Sequence, residues 1–166
     1  MPIRIRLFNL CKMKEKDTIT PVPLAPLPKG ADVVAAYRFT LPMKVRDYEC
    51  DLQGIVNNAN YQHYTEHTRH EFILSEGISF AELHARGIDA VVARITMAFK
   101  TPLRSGDEFL SCLNVEKDRA RYVFHQDIYR KSDMALALRA SVDVVCLVNG
   151  RLAPGVEELD QLVANG

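Results

Sequence analysis

Apolar and polar residues alternate along most of the chain after residue 87, which is the pattern of β-strands with one buried face. The first alternating run places on one face Val91, Ala93, Ile95, Met97 and Phe99. A longer run does the same with Leu136, Leu138, Ala140, Val142, Val144, Cys146 and Val148. Two weaker strands are predicted between them, at 109–117 and 122–130. Because the links between these strands are short, we expect neighbouring strands to be antiparallel.

One strand and two helices are predicted before this region. Residues 37–48 are predicted to form a strand interrupted at Pro42, which suits a sheet edge or a bulge because proline cannot donate to a strand ladder. A long helix extends from about residue 58 to 76 and ends at Gly77. A short helix follows to about residue 86, and Ser79 can cap its first turn.

The order of elements is therefore a strand, a long helix, a short helix and four strands, with a terminal helix at about 156–163. That order predicts an α+β domain in which one dominant helix covers an antiparallel sheet. A single helix covers part of one sheet face and leaves both edges open, so we expect at least a dimer. Dimerisation would also create a cleft between protomers.

Composition divides the chain into two parts. Residues 1–30 are predicted to be a flexible Pro-rich N-terminal leader, with four prolines between positions 20 and 28, and residues 31–166 to be the folded domain. The apolar part of the leader is too short for a signal peptide or a membrane span, which favours a cytoplasmic protein. An organellar targeting role for its basic start is the alternative.

Charge and cysteine content narrow the class of protein. Lys plus Arg and Asp plus Glu each total 21, so no net field attracts nucleic acid or anionic lipid. The four cysteines have no paired spacing and are expected to be reduced thiols: Cys11, Cys50, Cys112 and Cys146.

The residues best suited to chemistry lie between 45 and 61, where a strand leads through a turn into the long helix. Asp51 lies in the turn, and Asn58 begins the helix, whose first N–H groups have no partner within the helix. Such donors stabilise an oxyanion, and a nearby carboxylate can activate water or attack a carbonyl. The alternative is that Asp51 caps the turn or the helix, and residue chemistry alone favours that role.

The same stretch resembles the signature of the 4-hydroxybenzoyl-CoA thioesterase group of hot-dog-fold proteins. That signature has an Asp, two residues, a Gly, a hydrophobic pair and then Asn-x-x-Tyr leading into the central helix. The matching positions are Asp51, Gly54, Ile55, Val56, Asn58 and Tyr61, followed by Tyr64, Glu66, Arg69 and Phe72. Residues 102–107 also resemble the group's Pro-x-Arg-x-Gly-Asp turn, and the resemblance spans about 37–148.

The resemblance implies a hot-dog fold, in which an antiparallel sheet wraps around one long central helix. It implies hydrolysis of acyl-CoA or acyl-carrier-protein thioesters, as in fatty acid metabolism, by a homodimer or homotetramer without a cofactor. Asp51 would be the catalytic nucleophile or general base, and the backbone N–H of Asn58 would polarise the carbonyl. Substrate-binding positions would be Gly54, Ile55, Val56, Asn57 and Tyr61. Some relatives carry His or an aromatic residue in place of Asn58, so the acyl preference does not carry over.

Other functions stay open at this point. A hot-dog dehydratase acting on hydroxyacyl thioesters and a non-catalytic thioester-binding protein are the rivals. Zinc is a weaker alternative, suggested by the helical spacing of His63, Glu66, His67 and His70. It is disfavoured because the opposite stripe of the helix is the expected sheet-facing side: Tyr61, Tyr64, Thr68 and Phe72. Basic side chains able to meet CoA phosphates, or merely to line a solvated rim, are Arg94, Arg104, Arg130 and Lys131.

Overall fold

The computed structural model describes residues 34–164, so the predicted leader and Cys11 lie outside the described residues. The strands are β1 Phe39–Lys44, β2 Ile88–Phe99, β3 Glu108–Asp118, β4 Arg121–Arg130, β5 Leu136–Val148 and β6 Arg151–Ala153. The helices are α1 Asn58–Ser75, α2 Phe80–Ala85 and α3 Glu157–Ala164. The predicted α+β class and the predicted order of elements are confirmed, with β6 added. Within 34–164, no helix is long and apolar enough to cross a membrane.

The strands form one antiparallel sheet in the order β1-β3-β4-β5-β2. The short strand β6 pairs with the end of β5. The sheet curls around α1, which is the hot-dog arrangement. Pro42 lies in the edge strand β1, as predicted, and β2 forms the opposite edge with a length of 12 residues.

Helix α1 faces the sheet with the stripe that its sequence predicts. Tyr61, Tyr64, Thr68 and Phe72 are all at most 6% exposed. The histidines of the opposite stripe, His63, His67 and His70, are exposed. The helix therefore buries aromatic and hydroxyl side chains against the sheet and presents its histidines outward.

The predicted face of β2 is wrong in its first half. The strand contains a β-bulge at Ala93, where its register against β5 shifts. One extra residue reverses the alternation of sides, so Val91 does not share a face with Ile95. Ile88 and Ala90 contribute to the core in that half of the strand instead.

The first strand is shorter than predicted. It ends at Lys44, and Asp47–Glu49 forms a single 3-10 turn. The Glu49 carboxylate stabilises this turn by accepting the Arg46 backbone N–H at 2.7 Å. The turn redirects the chain from the sheet edge towards the start of α1.

A polar layer separates two apolar clusters between α1 and the sheet. One cluster packs around Phe72 and the later half of α1, and the other packs around Tyr64 and its first half. The layer between them consists of Thr65, Thr68, Arg69, Ser111 and Gln126, all buried. The Thr68 and Ser111 hydroxyl groups are hydrogen-bonded to each other at 2.7 Å, which joins helix and sheet directly.

Candidate active site

A cavity of about 340 Å³ opens beside the first turn of α1. Its walls come from the loop before α1, from the helix itself and from the segment that follows β2. The lining residues are Asp51, Ile55, Val56, Asn58, Tyr61, Phe99, Lys100, Thr101 and Pro102. Two parts of the chain that are distant in sequence, 51–61 and 99–102, therefore meet at one place.

The loop before α1 is closed by its own backbone hydrogen bonds. The Asp51 N–H donates to the Ile55 carbonyl at 2.9 Å, and the Gly54 N–H donates to the Asp51 carbonyl at 3.0 Å. Cys50 and Val56 form an antiparallel bridge at its base. Gly54 has a φ of 70°, a left-handed conformation that glycine adopts without steric cost. These contacts hold the Asp51 backbone in a tight turn.

The Asp51 carboxylate has hydrogen-bond partners within this turn. Its Oδ1 accepts the Gln53 backbone N–H at 2.9 Å. The Gln53 side-chain amide, oriented to satisfy its hydrogen bonds, donates to both carboxylate oxygens at 2.9 and 3.1 Å. Asp51 therefore does hold its own turn, which is the role that residue chemistry alone favoured, and Asp51 is also one of the residues that line the cavity.

The start of α1 is capped by Asn57. Its Oδ1 accepts the Ala59 N–H at 3.0 Å, and its carbonyl accepts the Asn60 N–H at 2.9 Å. The Asn57 N–H itself donates to the Glu49 carbonyl at 2.9 Å. Within residues 34–164 the Asn58 N–H has no acceptor, and it lies at the positive end of an 18-residue helix beside the cavity. This donor is available to an oxygen atom of a bound ligand.

Tyr61 and Phe99 form an aromatic wall. Their ring centroids are 5.4 Å apart in an edge-on arrangement. The Tyr61 hydroxyl accepts the Leu103 backbone N–H at 3.2 Å, which fixes the ring against the segment after β2. Burial raises the pKa of Tyr61, so the hydroxyl stays neutral at physiological pH.

The positions implied by the resemblance divide into two groups in the structure. Those around the cavity are Asp51, Ile55, Val56, Asn58 and Tyr61. Gly54 and Asn57 do not line it: Gly54 sets the turn, and Asn57 caps the helix. Among the basic residues, Arg104 donates from Nη1 to the Gly54 carbonyl at 3.4 Å, in the loop before α1. The other three pair with acids: Arg94 with Asp143, Arg130 with Asp133, and Lys131 with Glu108.

Sequence reasoning missed the lining residues Phe99, Lys100, Thr101 and Pro102. Phe99 ends β2 and the other three follow it, and they reach the cavity because β2 pairs with β5; the Lys100 N–H, for example, donates to the Ala137 carbonyl at 2.9 Å. No local motif marks Lys100 or Thr101, whereas Pro102 begins the Pro-x-Arg-x-Gly-Asp turn and Phe99 is an apolar residue at the end of a predicted strand.

Comparison with known proteins agrees with this fold. Residues 45–161 match the family model of the Thioesterase-like superfamily, and the chain belongs to that superfamily. A chloroplastic acyl-acyl carrier protein thioesterase of Arabidopsis thaliana is 40% identical over 108 residues, which cover 64% of this chain and 57% of that protein. The chain thus spans less than two thirds of the length of the curated plant relatives that it matches.

Two solved structures share the fold. A 1,4-dihydroxy-2-naphthoyl-CoA thioesterase from Synechocystis superposes with a TM-score of 0.73 at 20% identity, covering 76% of this chain and 96% of the other. A hypothetical protein from Aquifex aeolicus gives a TM-score of 0.70 at 27% identity, covering 75% and 98%. The curled antiparallel sheet around one helix is therefore the architecture of hot-dog thioesterases.

Proposed function

We propose that this chain hydrolyses acyl thioesters to a free acid and a thiol, with the Asp51 carboxylate and the Asn58 backbone N–H as its catalytic groups. The observation that carries the proposal is that these two groups line the same cavity, the N–H without an acceptor within residues 34–164. Membership of the Thioesterase-like superfamily supports the same reaction.

The two groups divide the chemistry between them. The thioester carbonyl oxygen accepts the Asn58 N–H, and the helix dipole stabilises the negative charge that develops on it. Asp51 either attacks the carbonyl carbon, giving an anhydride that water then cleaves, or removes a proton from the water that attacks. In both routes the carbon–sulfur bond breaks, and the thiolate leaves and takes up a proton.

The proposed substrate is a thioester of an acyl group with coenzyme A or with an acyl carrier protein. The Arabidopsis relative is named for acyl-acyl carrier protein, and the Synechocystis structure for a CoA thioester. The rim cation Arg104 supports a carrier that bears phosphate, since a guanidinium binds phosphate oxygens well. A panel of both carriers with graded acyl lengths tests the choice.

A second copy of the chain completes the assembly. The edge strand β2 has 12 residues, and its Val92 and Phe99 are 42% and 51% exposed. Long open edges with apolar side chains pair with other strands, so we expect β2 to pair with β2 of the second copy. Light scattering of the full chain should give a dimer or a tetramer, and a monomer at micromolar concentration would contradict this arrangement.

The cytoplasm stays the predicted location. The plant relative is chloroplastic, so an organelle is the competing compartment. A fluorescent fusion to the C-terminus of the full chain distinguishes them by microscopy.

The decisive experiment compares thiol release from acyl-CoA by the wild type and by Asp51→Asn. Loss of a general base or nucleophile should lower kcat by about 10²–10⁴-fold. Asp47→Asn is the matched control, because Asp47 lies in the preceding turn outside the cavity lining. Equal rates for Asp51→Asn and wild type would remove Asp51 from the mechanism. Formation of an enoyl product and water from a hydroxyacyl thioester would favour a dehydratase, and tight binding without turnover would favour a non-catalytic protein.

A further inference from the structure

We propose that Asn60 is a positioning residue for catalysis, because its side-chain amide and the Glu49 carbonyl together fix the Asn58 N–H relative to the Asp51 loop. This inference rests on the proposed function. Asn60 does not line the cavity, so it acts through its neighbours.

The Glu49 carbonyl is the junction of this arrangement. It accepts two hydrogen bonds, from the Asn57 N–H at 2.9 Å and from the Asn60 Nδ2 at 2.7 Å. Glu49 precedes Asp51 by two residues, and Asn57 directly precedes Asn58. The two bonds therefore connect the segment that carries the carboxylate to the segment that carries the donor.

Asn60 contributes to both sides of this connection. Its backbone N–H donates to the Asn57 carbonyl at 2.9 Å, and its side chain donates to Glu49. The first turn of α1 is thus held both from within the helix and from the preceding turn. Without the amide, the Glu49 carbonyl would keep one of its two donors, and the helix start would be free to shift.

The Glu49 side chain anchors the same segment one helical turn further on. Glu49 is 6% exposed, and its carboxylate accepts the Tyr64 hydroxyl and the Arg46 N–H, each at 2.7 Å. Asn60 and Tyr64 are four residues apart on α1 and therefore lie on one face of the helix. Glu49 is therefore hydrogen-bonded to two successive turns of α1, through Asn60 and through Tyr64. The bond to Asn60 is the one in the first turn, and it sets the position of the Asn58 N–H.

A displacement of about 1 Å at a reacting centre costs on the order of 10²-fold in rate. We therefore expect Asn60→Asp, which keeps the shape of the side chain but removes the donor, to lower kcat by about 10- to 100-fold. Asn60→Gln retains an amide donor and should recover part of that loss. We expect the aromatic wall to set ground-state binding, and Asn60→Asp leaves that wall unchanged. KM and the affinity for an inert thioether analogue should therefore stay within about twofold of wild type.

The matched control is Asn114→Ala. Asn114 also donates its Nδ2 to a backbone carbonyl, that of Ala36 at 3.2 Å, but on the other face of the sheet. This variant should keep the wild-type kcat. A readout independent of turnover is the amide NMR resonance of Asn58, which should move in Asn60→Asp and stay in place in Asn114→Ala.

The outcomes separate the two proposals. If Asp51→Asn is inactive while Asn60→Asp keeps the wild-type kcat and the Asn58 resonance is unmoved, only the positioning role is overturned. If the wild type releases no thiol from any thioester but the Asn58 resonance moves in Asn60→Asp, the hydrolase function fails while the structural coupling stands. A parallel fall in affinity for the thioether analogue would also overturn the positioning role, because it would mean that the cavity itself had changed.

Discussion

Arg69 of α1 donates from Nη1 to Oε1 of Gln126 in β4 at 2.8 Å, and both side chains are buried between helix and sheet. The Gln126 amide group also donates to the Thr65 carbonyl at 2.9 Å. Burial lowers the pKa of Arg69 to about 10, which reflects the cost of removing its charge from water. A single alignment of helix and sheet satisfies these groups, so we expect the pair to set the register of α1.

Replacing Gln126 with Leu should destabilise the protein strongly. The buried guanidinium would lose its partner, and hydrogen bonds to charged groups contribute about 1.5–3 kcal/mol. Urea unfolding measures the change in the free energy of unfolding. Gln62→Leu, at an exposed position of α1, is the control and should differ little from wild type. Equal losses in the two variants would mean that the buried pair contributes nothing specific.

Stability should fall at alkaline pH because of buried thiols. Burial raises the pKa of Cys112 and of Cys146 to about 11, from an ordinary value of 9.0. Between these values the unfolded chain loses thiol protons that the native protein keeps, so stability is full below pH 9 and declines towards pH 11. Each thiol contributes at most about 3 kcal/mol, from 1.36 kcal/mol per pKa unit.

Urea unfolding of wild type and Cys146→Ala at pH 8 and pH 10.5 tests this effect. The variant should start less stable, because a buried side chain is truncated, yet lose less stability between the two pH values. The difference between the two proteins isolates the thiol from other groups that titrate in this range. An identical pH dependence would exclude Cys146 as a cause.

Gly54→Ala should lower both stability and kcat. Gly54 has a φ of 70°, and an added Cβ would meet nothing closer than Arg104 Nη1 at 3.9 Å. The penalty is therefore conformational, about 1–2 kcal/mol for a left-handed residue. Relaxation of the strained turn would move Asp51, which the Gly54 N–H holds through its carbonyl.

Gly77→Ala is the control for the glycine prediction. Gly77 follows α1 at its far end with a φ of 77° and open space around it, so the backbone penalty is alike. We expect thermal unfolding to show similar losses in both variants and steady-state kinetics to show a fall in kcat for Gly54→Ala alone. If both variants keep the wild-type kcat, the turn does not position the carboxylate.

Phe99→Ala should raise KM for acyl thioesters. Phe99 packs edge-on against Tyr61 in the cavity wall, and such aromatic pairs contribute about 0.5–1.5 kcal/mol beyond area burial. If the acyl group loses a comparable free energy of binding in the variant, KM increases by about two- to tenfold. Leu74→Ala, at a residue 55% exposed near the end of α1, should leave KM unchanged. An unaltered KM in Phe99→Ala would place the acyl group elsewhere.

The local pattern of the sequence was sufficient for most elements of the fold. Alternation predicted four strands, and the spacing of four residues predicted the buried side of α1: Tyr61, Tyr64, Thr68 and Phe72. Both predictions work because the buried positions of a helix or strand recur in the sequence with the period of that element. The bulge at Ala93 was not predicted, since one inserted residue in an apolar run does not change the pattern of apolar and polar residues.

The residues of the site likewise fall into those that the sequence brings together and those that only the tertiary structure brings together. Asp51 and Asn58 are seven positions apart, so one turn and one helix start bring them together, and the sequence by itself determined their proximity. Tertiary structure decided which residues close the cavity: Tyr61 meets the Leu103 N–H across 42 positions, and Phe99 arrives through the pairing of β2 with β5. Contacts between residues so far apart in sequence depend on how the sheet curls around the helix, and the pattern of a short stretch of sequence does not determine that curvature.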